Sequence, residues 1–288
     1  MKLCLLTPDP DFPEDHRWAL DVEAGALRDA GALVEARPWT KAGDLSQFDA
    51  VLPLVAWGYH LRFAEWLALL DRLEAEQVPV ANPVPLLRWN SDKSYLAELG
   101  AKGIATVPTL AVDHLNEAAL EAAFGKLGTD EVVVKPPVSA GATGTFRIAR
   151  GEAAAVPAEV HGQRMMIQPW LRSITTTGEY SLILFGGEPS HCVVKLPKSG
   201  DFRVQPNFGG STHPCDPPPG ALELAKAALA LAPTPATYAR VDLVEGNDGT
   251  LQLIELELIE PALFLHCDEP AKSRFAEAVL RFSRNESP

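Results

Sequence analysis

The sequence predicts an N-terminal parallel α/β domain followed by an α+β region whose sheet is mostly antiparallel. Two observations lead to this prediction. Over about the first 85 of the 288 residues, short apolar segments alternate with segments whose apolar residues recur at helical spacing, as expected for parallel strands joined by helices. After Arg164 this alternation gives way to strands that follow one another with few helices between them, which is typical of antiparallel pairing.

The N-terminal domain is assigned to residues 1–88. Segments at residues 20–31 and 63–73 carry apolar side chains at helical spacing and are predicted to be helices. Apolar strands are predicted at residues 2–6, 33–36, 49–55 and 78–81.

The rest of the chain is divided into residues 89–170 and residues 171–288. A helix is predicted from Asn90 to about residues 100–103, with Lys93 in its first turn, and further helices at residues 120–127 and 222–231. Strands are predicted at residues 131–135, 165–168, 180–185, 191–196, 239–244 and 251–258.

Composition argues against several classes of partner. The net charge of −13 disfavours a nucleic-acid backbone, which requires clustered Lys and Arg. The sequence has no apolar run of about 18 residues, the length that a membrane-spanning helix requires, so we expect no membrane span. We also expect no apolar leader at its start. The four cysteines are scattered without a CxxC pair, so we expect a reduced, cytoplasmic protein without a disulfide framework or a zinc site.

A lysine at a strand end precedes a loop of small residues. Lys135 closes the strand at residues 131–135, and residues 136–145 are rich in Pro, Gly, Ala, Ser and Thr. The backbone N–H groups of such a loop can approach phosphate oxygens closely, because no large side chain intervenes. The alternative is a surface lysine beside an ordinary hairpin loop. Neither a GxxxxGK[ST] sequence nor a strand followed by GxGxxG is present.

Three carboxylates flank a predicted hairpin turn at residues 246–249. Asp242 precedes the turn, and Glu255 and Glu257 share one face of the strand after it, because side chains alternate along a strand. Pairing the strands directly across this turn places Asp242 diagonal to Glu255, roughly 7–8 Å away. Such an all-oxygen group suits magnesium or manganese. The alternative is that the alternating Glu residues mark a solvent-exposed face.

Other cations occur beside predicted loops. Lys93 lies at a helix start, Lys195 ends a strand, and Arg203 precedes the segment at residues 207–210. Each alone is compatible with a solvated surface charge, whereas their joint placement favours one anion site.

Taken in this order, the segments resemble the ATP-grasp superfamily. The likeness is greatest to its glutathione-synthetase-like and ribosomal-protein-glutamate-ligase-like members and to cycloserine-forming cyclo-ligases. It extends over nearly the whole chain and depends on the order of short motifs. The resemblance implies an ATP-grasp fold, in which two α+β subdomains clasp ATP behind the N-terminal domain.

The resemblance also implies which residues bind ATP. Lys93 and Lys135 match the two ATP lysines, the second contacting the α-phosphate and adenine, and Glu179 matches the acid that binds the ribose hydroxyls. The glycine-rich lid corresponds to residues 139–145, with Ser139, Gly141, Thr143 and Gly144. The hinge that reads the adenine edge corresponds to Gln168, Trp170 and Leu171.

The implied catalytic and metal residues lie in the C-terminal part. Arg203 matches the arginine that holds the γ-phosphate and the acyl-phosphate, and Lys195 and Asn207 are assigned beside it. The implied ligands of magnesium or manganese are Asp242, Glu255 and Glu257. Members of the family more often have Asp and Glu-x-Asn, so Glu257 replaces an Asn, which keeps an oxygen ligand and adds charge.

The implied reaction is an ATP- and magnesium-dependent ligation of a carboxylate to an amine through an acyl-phosphate. The expected partner is a small amino acid or peptide-like substrate, and a homodimer is compatible with the sequence. A small-molecule kinase and a nucleotide-binding regulatory protein without turnover remain as alternatives. Loops carrying His16, Trp57 and His60 are candidate walls of the acceptor pocket, and the sequence assigns no role to Glu260.

Overall fold

The computed structural model describes residues 1–152, 156–205 and 208–286 of the chain. Within these ranges the strands form three sheets, one parallel and two antiparallel. The part of the chain described contains no helix that is both long and apolar enough to cross a membrane.

The N-terminal sheet is parallel and has the order β2-β1-β3. Its strands are β1 (Lys2–Thr7), β2 (Leu33–Pro38) and β3 (Ala50–Leu52), and its helices are α1 (Arg17–Asp29) and α2 (Phe63–Ala75). Alternate residues of β1 enter two cores: Leu3 packs with α1 and Cys4 packs with α2. Helices therefore cover both faces of the sheet, which explains why β1 is apolar throughout. The predicted fourth strand is reduced to one parallel bridge between Val51 and Val80.

The central sheet is antiparallel and has the order β4-β7-β5-β6. Its elements are α3 (Val84–Asn90), α4 (Tyr95–Ala101), β4 (Leu110–Val112), α5 (Glu117–Leu127), β5 (Glu131–Lys135), β6 (Phe146–Ala149) and β7 (Met165–Pro169). The predictions of β5 and α5 are confirmed, whereas β4 and β6 were not predicted.

The predicted helix start at Asn90 is wrong, because Lys93 lies in a turn between α3 and α4. The side chain of Asp92 accepts the N–H of Ser94 at 2.9 Å, and the N–H of Lys93 donates to the Pro137 oxygen at 2.8 Å. These bonds replace helical ones, as short polar side chains allow.

The C-terminal sheet is antiparallel and has the order β10-β9-β8-β11-β12. Its elements are α6 (Ser173–Thr176), β8 (Glu179–Phe185), β9 (Glu188–Leu196), β10 (Ser211–Pro214), α7 (Ala221–Leu229), β11 (Tyr238–Glu245), β12 (Leu251–Glu257) and α8 (Ala271–Ser283). Neither the strand β10 nor the helix α8 was predicted.

The register of the β11–β12 hairpin differs from the prediction. Asp242 pairs directly with Glu255 and Leu243 pairs with Leu253, so Ile254 is an extra residue on β12. Glu245 also pairs with Leu251, one residue later than direct pairing across the turn predicts. This shift and the bulge together move Glu255 from the diagonal position to the one opposite Asp242, where paired Cβ atoms lie about 4.5–5.5 Å apart.

Two buried asparagines join the preceding parts of the chain to this hairpin. The Asn82 amide donates to the backbone oxygens of Tyr238 and Leu258 at 2.9 and 2.8 Å. Asn90 donates to the Leu256 oxygen and accepts the Leu258 N–H, both at 2.9 Å. Because buried amides with several partners restrict movement, these bonds fix β12 against α3.

Candidate active site

One cavity of about 1180 Å³ is lined by strands and loops of the two antiparallel sheets and by residues of the N-terminal domain outside its strands. It includes each predicted site residue that the structure describes, except Gly144 and His16. Asn207 lies outside the described residues. The structure therefore gathers into one place residues that are more than 160 positions apart in the sequence.

Lys93 and Lys135 meet at the start of the small-residue loop. The Lys93 ammonium donates to the backbone oxygen of Ser139, lies 3.2 Å from its hydroxyl, and lies 3.2 Å from the Glu255 carboxylate. Burial lowers the pKa of Lys135; Glu255 opposes this effect and the Lys93 charge adds to it. An anion between the two lysines would be favoured, because it relieves their mutual repulsion.

Gly144 serves the loop backbone and does not line the cavity. Its φ is +71°, a left-handed conformation that favours glycine, and an added Cβ would lie 2.9 Å from the Pro136 ring. We therefore explain this glycine by the geometry of the loop.

The predicted hinge borders the same cavity. The Gln168 amide donates to the Thr109 hydroxyl at 2.9 Å. The N–H of Trp170 donates to the Glu131 oxygen at 3.0 Å, and the Trp170 oxygen accepts from Asn247 at 2.9 Å. Both backbone polar groups of Trp170 are thus used within the protein.

Lys195 links two of the predicted acids in the interior. Its ammonium lies 2.5 Å from the Glu179 carboxylate and 3.1 Å from that of Asp242. Burial alone would lower the pKa of Lys195, but these two carboxylates raise it. An added Cβ at Gly178 would lie 2.6 Å from the Lys195 backbone oxygen, so this glycine permits the close approach of β8 to β9 at the cluster.

Arg240 is a site residue that the sequence reasoning missed. Its guanidinium donates to both oxygens of Asp242, at 3.0 and 2.9 Å, and also to Glu257. Burial raises the pKa of Asp242, but Arg240 and Lys195 outweigh burial and hold it well below its usual range. Arg240 precedes Asp242 by two positions on the same strand face, and this spacing was the available signal.

The chemistry of the acids fits a divalent cation. Asp242 lies directly opposite Glu255, and Glu257 shares their face of the sheet, so carboxylate oxygens are the donors. Burial raises the pKa of Glu257 to about 8; Arg240 opposes this effect and the neighbouring carboxylates Asp242 and Glu255 add to it. Counting Glu179, this group of paired charges contains more carboxylates than Lys and Arg side chains.

In this structure the carboxylate side chains of Asp242, Glu255 and Glu257 do not point to one position that could hold a metal ion. Among the described residues, no three His, Cys, Asp or Glu side chains form a group that could hold a metal ion. Arg240 lies between Asp242 and Glu257, and Lys93 is paired with Glu255. Metal binding at these oxygens would require both cations to move aside.

Arg203 is paired within its own loop. Its guanidinium makes two bonds to Asp201, at 3.0 and 2.7 Å, and lies 3.7 Å from the Phe208 ring centre. Its side chain is 35% exposed, so it remains accessible from the cavity that it lines.

Aromatic residues of the N-terminal domain line another part of the cavity wall. The Trp57 ring lies 6.5 Å from Phe12 and 5.7 Å from Trp18, which is 52% exposed. Burial, with a contribution from Lys93, lowers the pKa of the neighbouring His60 to about 4, so this imidazole is neutral at pH 7. The sequence prediction that Trp57 and His60 border the pocket agrees with their positions.

Two family models match the chain. Residues 3–82 match the N-terminal domain of D-cycloserine synthetase DcsG, and residues 106–256 match the ATP-grasp domain of prokaryotic glutathione synthetase. The cycloserine biosynthesis protein DcsG of Streptomyces lavendulae is 32% identical, over 96% of this chain and 97% of its own length. The glutathione synthetase of Prochlorococcus marinus is 28% identical, over 74% of this chain and 70% of its own length.

Solved structures extend the comparison. The crystal structure of D-cycloserine synthetase DcsG superposes with a TM-score of 0.84 at 30% identity and covers 98% of this chain and 100% of its own. D-alanine–D-alanine ligase from Bacillus anthracis superposes with a TM-score of 0.73 at 15% identity, over 99% of this chain and 98% of its own. The second likeness concerns the fold alone.

Proposed function

Because the chain belongs to the ATP-grasp family, whose members use ATP, generally with magnesium, we propose that it ligates a carboxylate to an amine on a small amino-acid substrate. The reaction consumes ATP and proceeds through an acyl-phosphate. The observation that supports this most directly is the row of cations and carboxylates along one cavity, from Lys93 to Arg240.

ATP binding is assigned to the end of the cavity near the small-residue loop. Lys93 and Lys135 bind the phosphates, and the backbone of residues 139–145, including Ser139, Gly141 and Thr143, covers them. Glu179, held by Lys195, binds the ribose hydroxyls. Adenine lies against Gln168 and Trp170. Because the backbone N–H and C=O of Trp170 are already bonded within the protein, the backbone of Leu171 binds the edge of the adenine ring.

Asp242, Glu255 and Glu257 are the proposed magnesium ligands. Magnesium held there would neutralise phosphate charge during phosphoryl transfer. Until the nucleotide binds, Arg240 holds the side chains of Asp242 and Glu257 in place and offsets the repulsion between these two carboxylates.

Catalysis in this arrangement rests on positioning and charge. The substrate carboxylate attacks the γ-phosphorus, and the bond from this phosphorus to the bridging oxygen breaks and releases ADP. Arg203, after leaving Asp201, neutralises the transferred phosphoryl group together with Lys195. An amine then displaces phosphate from the acyl-phosphate. This sequence requires no nucleophilic side chain from the protein, and Asn207 is retained as a proposed neighbour of Arg203.

The remaining assignments are also proposals. We retain the division into residues 1–88, 89–170 and 171–288, and note that α8 packs back against α1 through Phe275. The four cysteines are free, which supports a reduced, cytoplasmic setting. A small-molecule substrate, rather than nucleic acid, agrees with the net charge of −13, and a homodimer remains a hypothesis.

A phosphate-release screen with ATP, magnesium and a panel of amino acids and short peptides tests this function. We expect phosphate release with at least one substrate and an amide or cyclic product by mass spectrometry. Glu255→Gln should abolish turnover, whereas Glu245→Gln, the same change at an exposed position of the same hairpin, should not. Phosphorylated product without a new C–N bond would instead indicate a kinase, and full activity of Glu255→Gln would exclude the metal assignment.

A further inference from the structure

Among the described residues near the ATP end of the cavity, Glu260 is the one carboxylate that the proposed chemistry does not use. It lines the cavity three residues beyond the end of β12. The backbone before it is fixed, because the Leu258 N–H donates to Asn90 and the Tyr238 hydroxyl donates to the Ile259 oxygen, both at 2.9 Å. The carboxylate is therefore held at a defined place in the wall.

The charge of Glu260 lacks a partner that its neighbours have. Each of four other acids has a Lys or Arg nitrogen within 4.0 Å: Glu179, Asp242, Glu255 and Glu257. In the described part of the chain no such ion pair includes Glu260. Lys93 acts on Glu260 electrostatically, but its ammonium is bonded to Ser139 and paired with Glu255. A partly buried carboxylate without a cation is costly, so it favours a positively charged group from a ligand.

The surroundings of Glu260 suit an ammonium group. Burial raises the pKa of the Tyr59 hydroxyl, and the charge of the nearby Glu260 adds to this effect. The next residue, His60, is neutral at pH 7. Among the described residues, Nδ1 of His60 is buried without a hydrogen-bond partner. Aromatic faces attract cations, and a neutral imidazole can accept an N–H bond.

Phe264 completes this wall and has an unusual backbone. Its φ is +47°, a left-handed conformation that is rare for an aromatic residue and is typically retained at functional sites. The ring lines the cavity next to His266, at 6.5 Å, and lies 5.8 Å from the Arg240 guanidinium. The loop after β12 thus presents Glu260 and Phe264 to the same space.

We propose that Glu260 binds the protonated amino group of a free α-amino acid, the substrate whose carboxylate is phosphorylated. The inference rests on the proposed ligase function and specifies its substrate. It makes Glu260 a specificity residue: the ion pair orients the substrate with its carboxylate toward the cations of the phosphate end. N-acylated acids, which lack the positive charge, are excluded.

The test uses the full chain and an ADP-release assay with ATP and magnesium. The probes are the L- and D-forms of the common amino acids, each beside its N-acetyl derivative. We expect release with at least one free amino acid and none with its N-acetyl derivative. Glu260→Gln should raise the KM for that amino acid by about 10- to 100-fold, the range expected for losing a charged hydrogen bond, with the KM for ATP changed less than twofold. Glu245→Gln is the matched control and should behave like the original protein.

Four outcomes would overturn the proposal. Equal activity with N-acetyl derivatives, or an unchanged amino-acid KM in Glu260→Gln, removes the inference and leaves the ligase function intact. A raised KM for ATP and magnesium in Glu260→Gln would make Glu260 a metal ligand. If no amino acid or derivative releases ADP, the proposed function itself fails. Glu260→Asp, which keeps the charge, should retain more of the amino-acid affinity than Glu260→Gln, and thermal unfolding of each variant checks that the fold is intact.

Discussion

The charged groups of the β11–β12 hairpin, together with Lys195 of β9, differ from those of the Arg203 loop in how they are held. Asp242, Lys195 and Arg240 have side chains that are 2%, 8% and 9% exposed, and each has at least two partners. Arg203 and Asp201 are 35% and 21% exposed, and their ion pair joins residues two positions apart. One region fixes charges in the interior, and the other keeps a cation near the surface on a single local partner.

This difference fits the two roles proposed for these regions, which are metal binding by the hairpin carboxylates and binding of the transferred phosphoryl group by Arg203. Buried pairs are costly to break, so the hairpin holds its carboxylate oxygens in one arrangement until a metal ion displaces the cations paired with them. An exposed pair contributes little, so Arg203 can exchange Asp201 for a phosphate oxygen at small cost. Four predictions test whether the contrast is real.

Asp242→Asn should have the largest effect. The change removes the negative charge that is paired with both Lys195 and Arg240 in the interior. We therefore expect a loss of about 3–5 kcal/mol in the free energy of unfolding. Urea denaturation measures this, and phosphate release should fall to background. A loss below about 1 kcal/mol would show that the hairpin charges are no better held than surface charges.

Arg203→Ala should affect activity without affecting stability. We expect kcat to fall by about 10²- to 10³-fold, because a donor to the developing phosphoryl charge is removed. The melting temperature should stay within about one degree, since exposed pairs contribute little. If the protein unfolds more readily while turnover persists, Arg203 is a structural residue.

Glu23→Gln concerns a buried acid without any of the partners that Asp242 has. One Glu23 oxygen is buried without a hydrogen-bond partner among the described residues, and burial raises the pKa of this carboxyl well above its usual value. The unfolded chain therefore releases the Glu23 proton first. Stability should fall by about 1.4 kcal/mol per pH unit above the unfolded pKa, until pH reaches the folded pKa.

The Gln variant should lack this loss, so its advantage over the original protein grows from pH 4 toward pH 7, to about 1–3 kcal/mol. Denaturation of both proteins at several pH values gives the comparison. A difference that is constant with pH would mean that Glu23 does not titrate between the two states.

Asp201→Asn should have the smallest effect. It weakens the pair that holds Arg203, so we expect the KM for ATP to fall about two- to threefold, because less free energy is lost in releasing the guanidinium. A rise in this KM would indicate that Asp201 holds Arg203 in its binding position rather than competing for it.

Most of the site could be predicted because local pattern determined it. Lys135 ends an apolar strand before a loop of small residues, and Glu255 and Glu257 alternate along one strand. The fold class followed from the same patterning, with the ATP-grasp resemblance adding the order of the parts. Lys93 was identified although its predicted helix was wrong, because its identification depended on the neighbouring sequence and not on the helix.

Other features could not be predicted because they depend on contacts between distant segments. The bulge at Ile254 changes the pairing of Asp242, and no local signal marks it. Arg240 was overlooked because its role requires Glu257 from the neighbouring strand. Among the described residues Glu260 has no ion pair, because Lys93 is paired with Glu255 and Arg240 is paired with Asp242.

By itself the sequence determined most of the strands and helices, the family resemblance and the chemical types of the residues at the site. These follow from side-chain periodicity and residue type, which are local properties of a chain. The tertiary structure decided the register of β11 with β12, the charge partners of each acid, and the convergence of Lys93, Lys195 and Glu260 on one cavity. Those features arise from packing between segments far apart in sequence, where burial makes each charge depend on its neighbours.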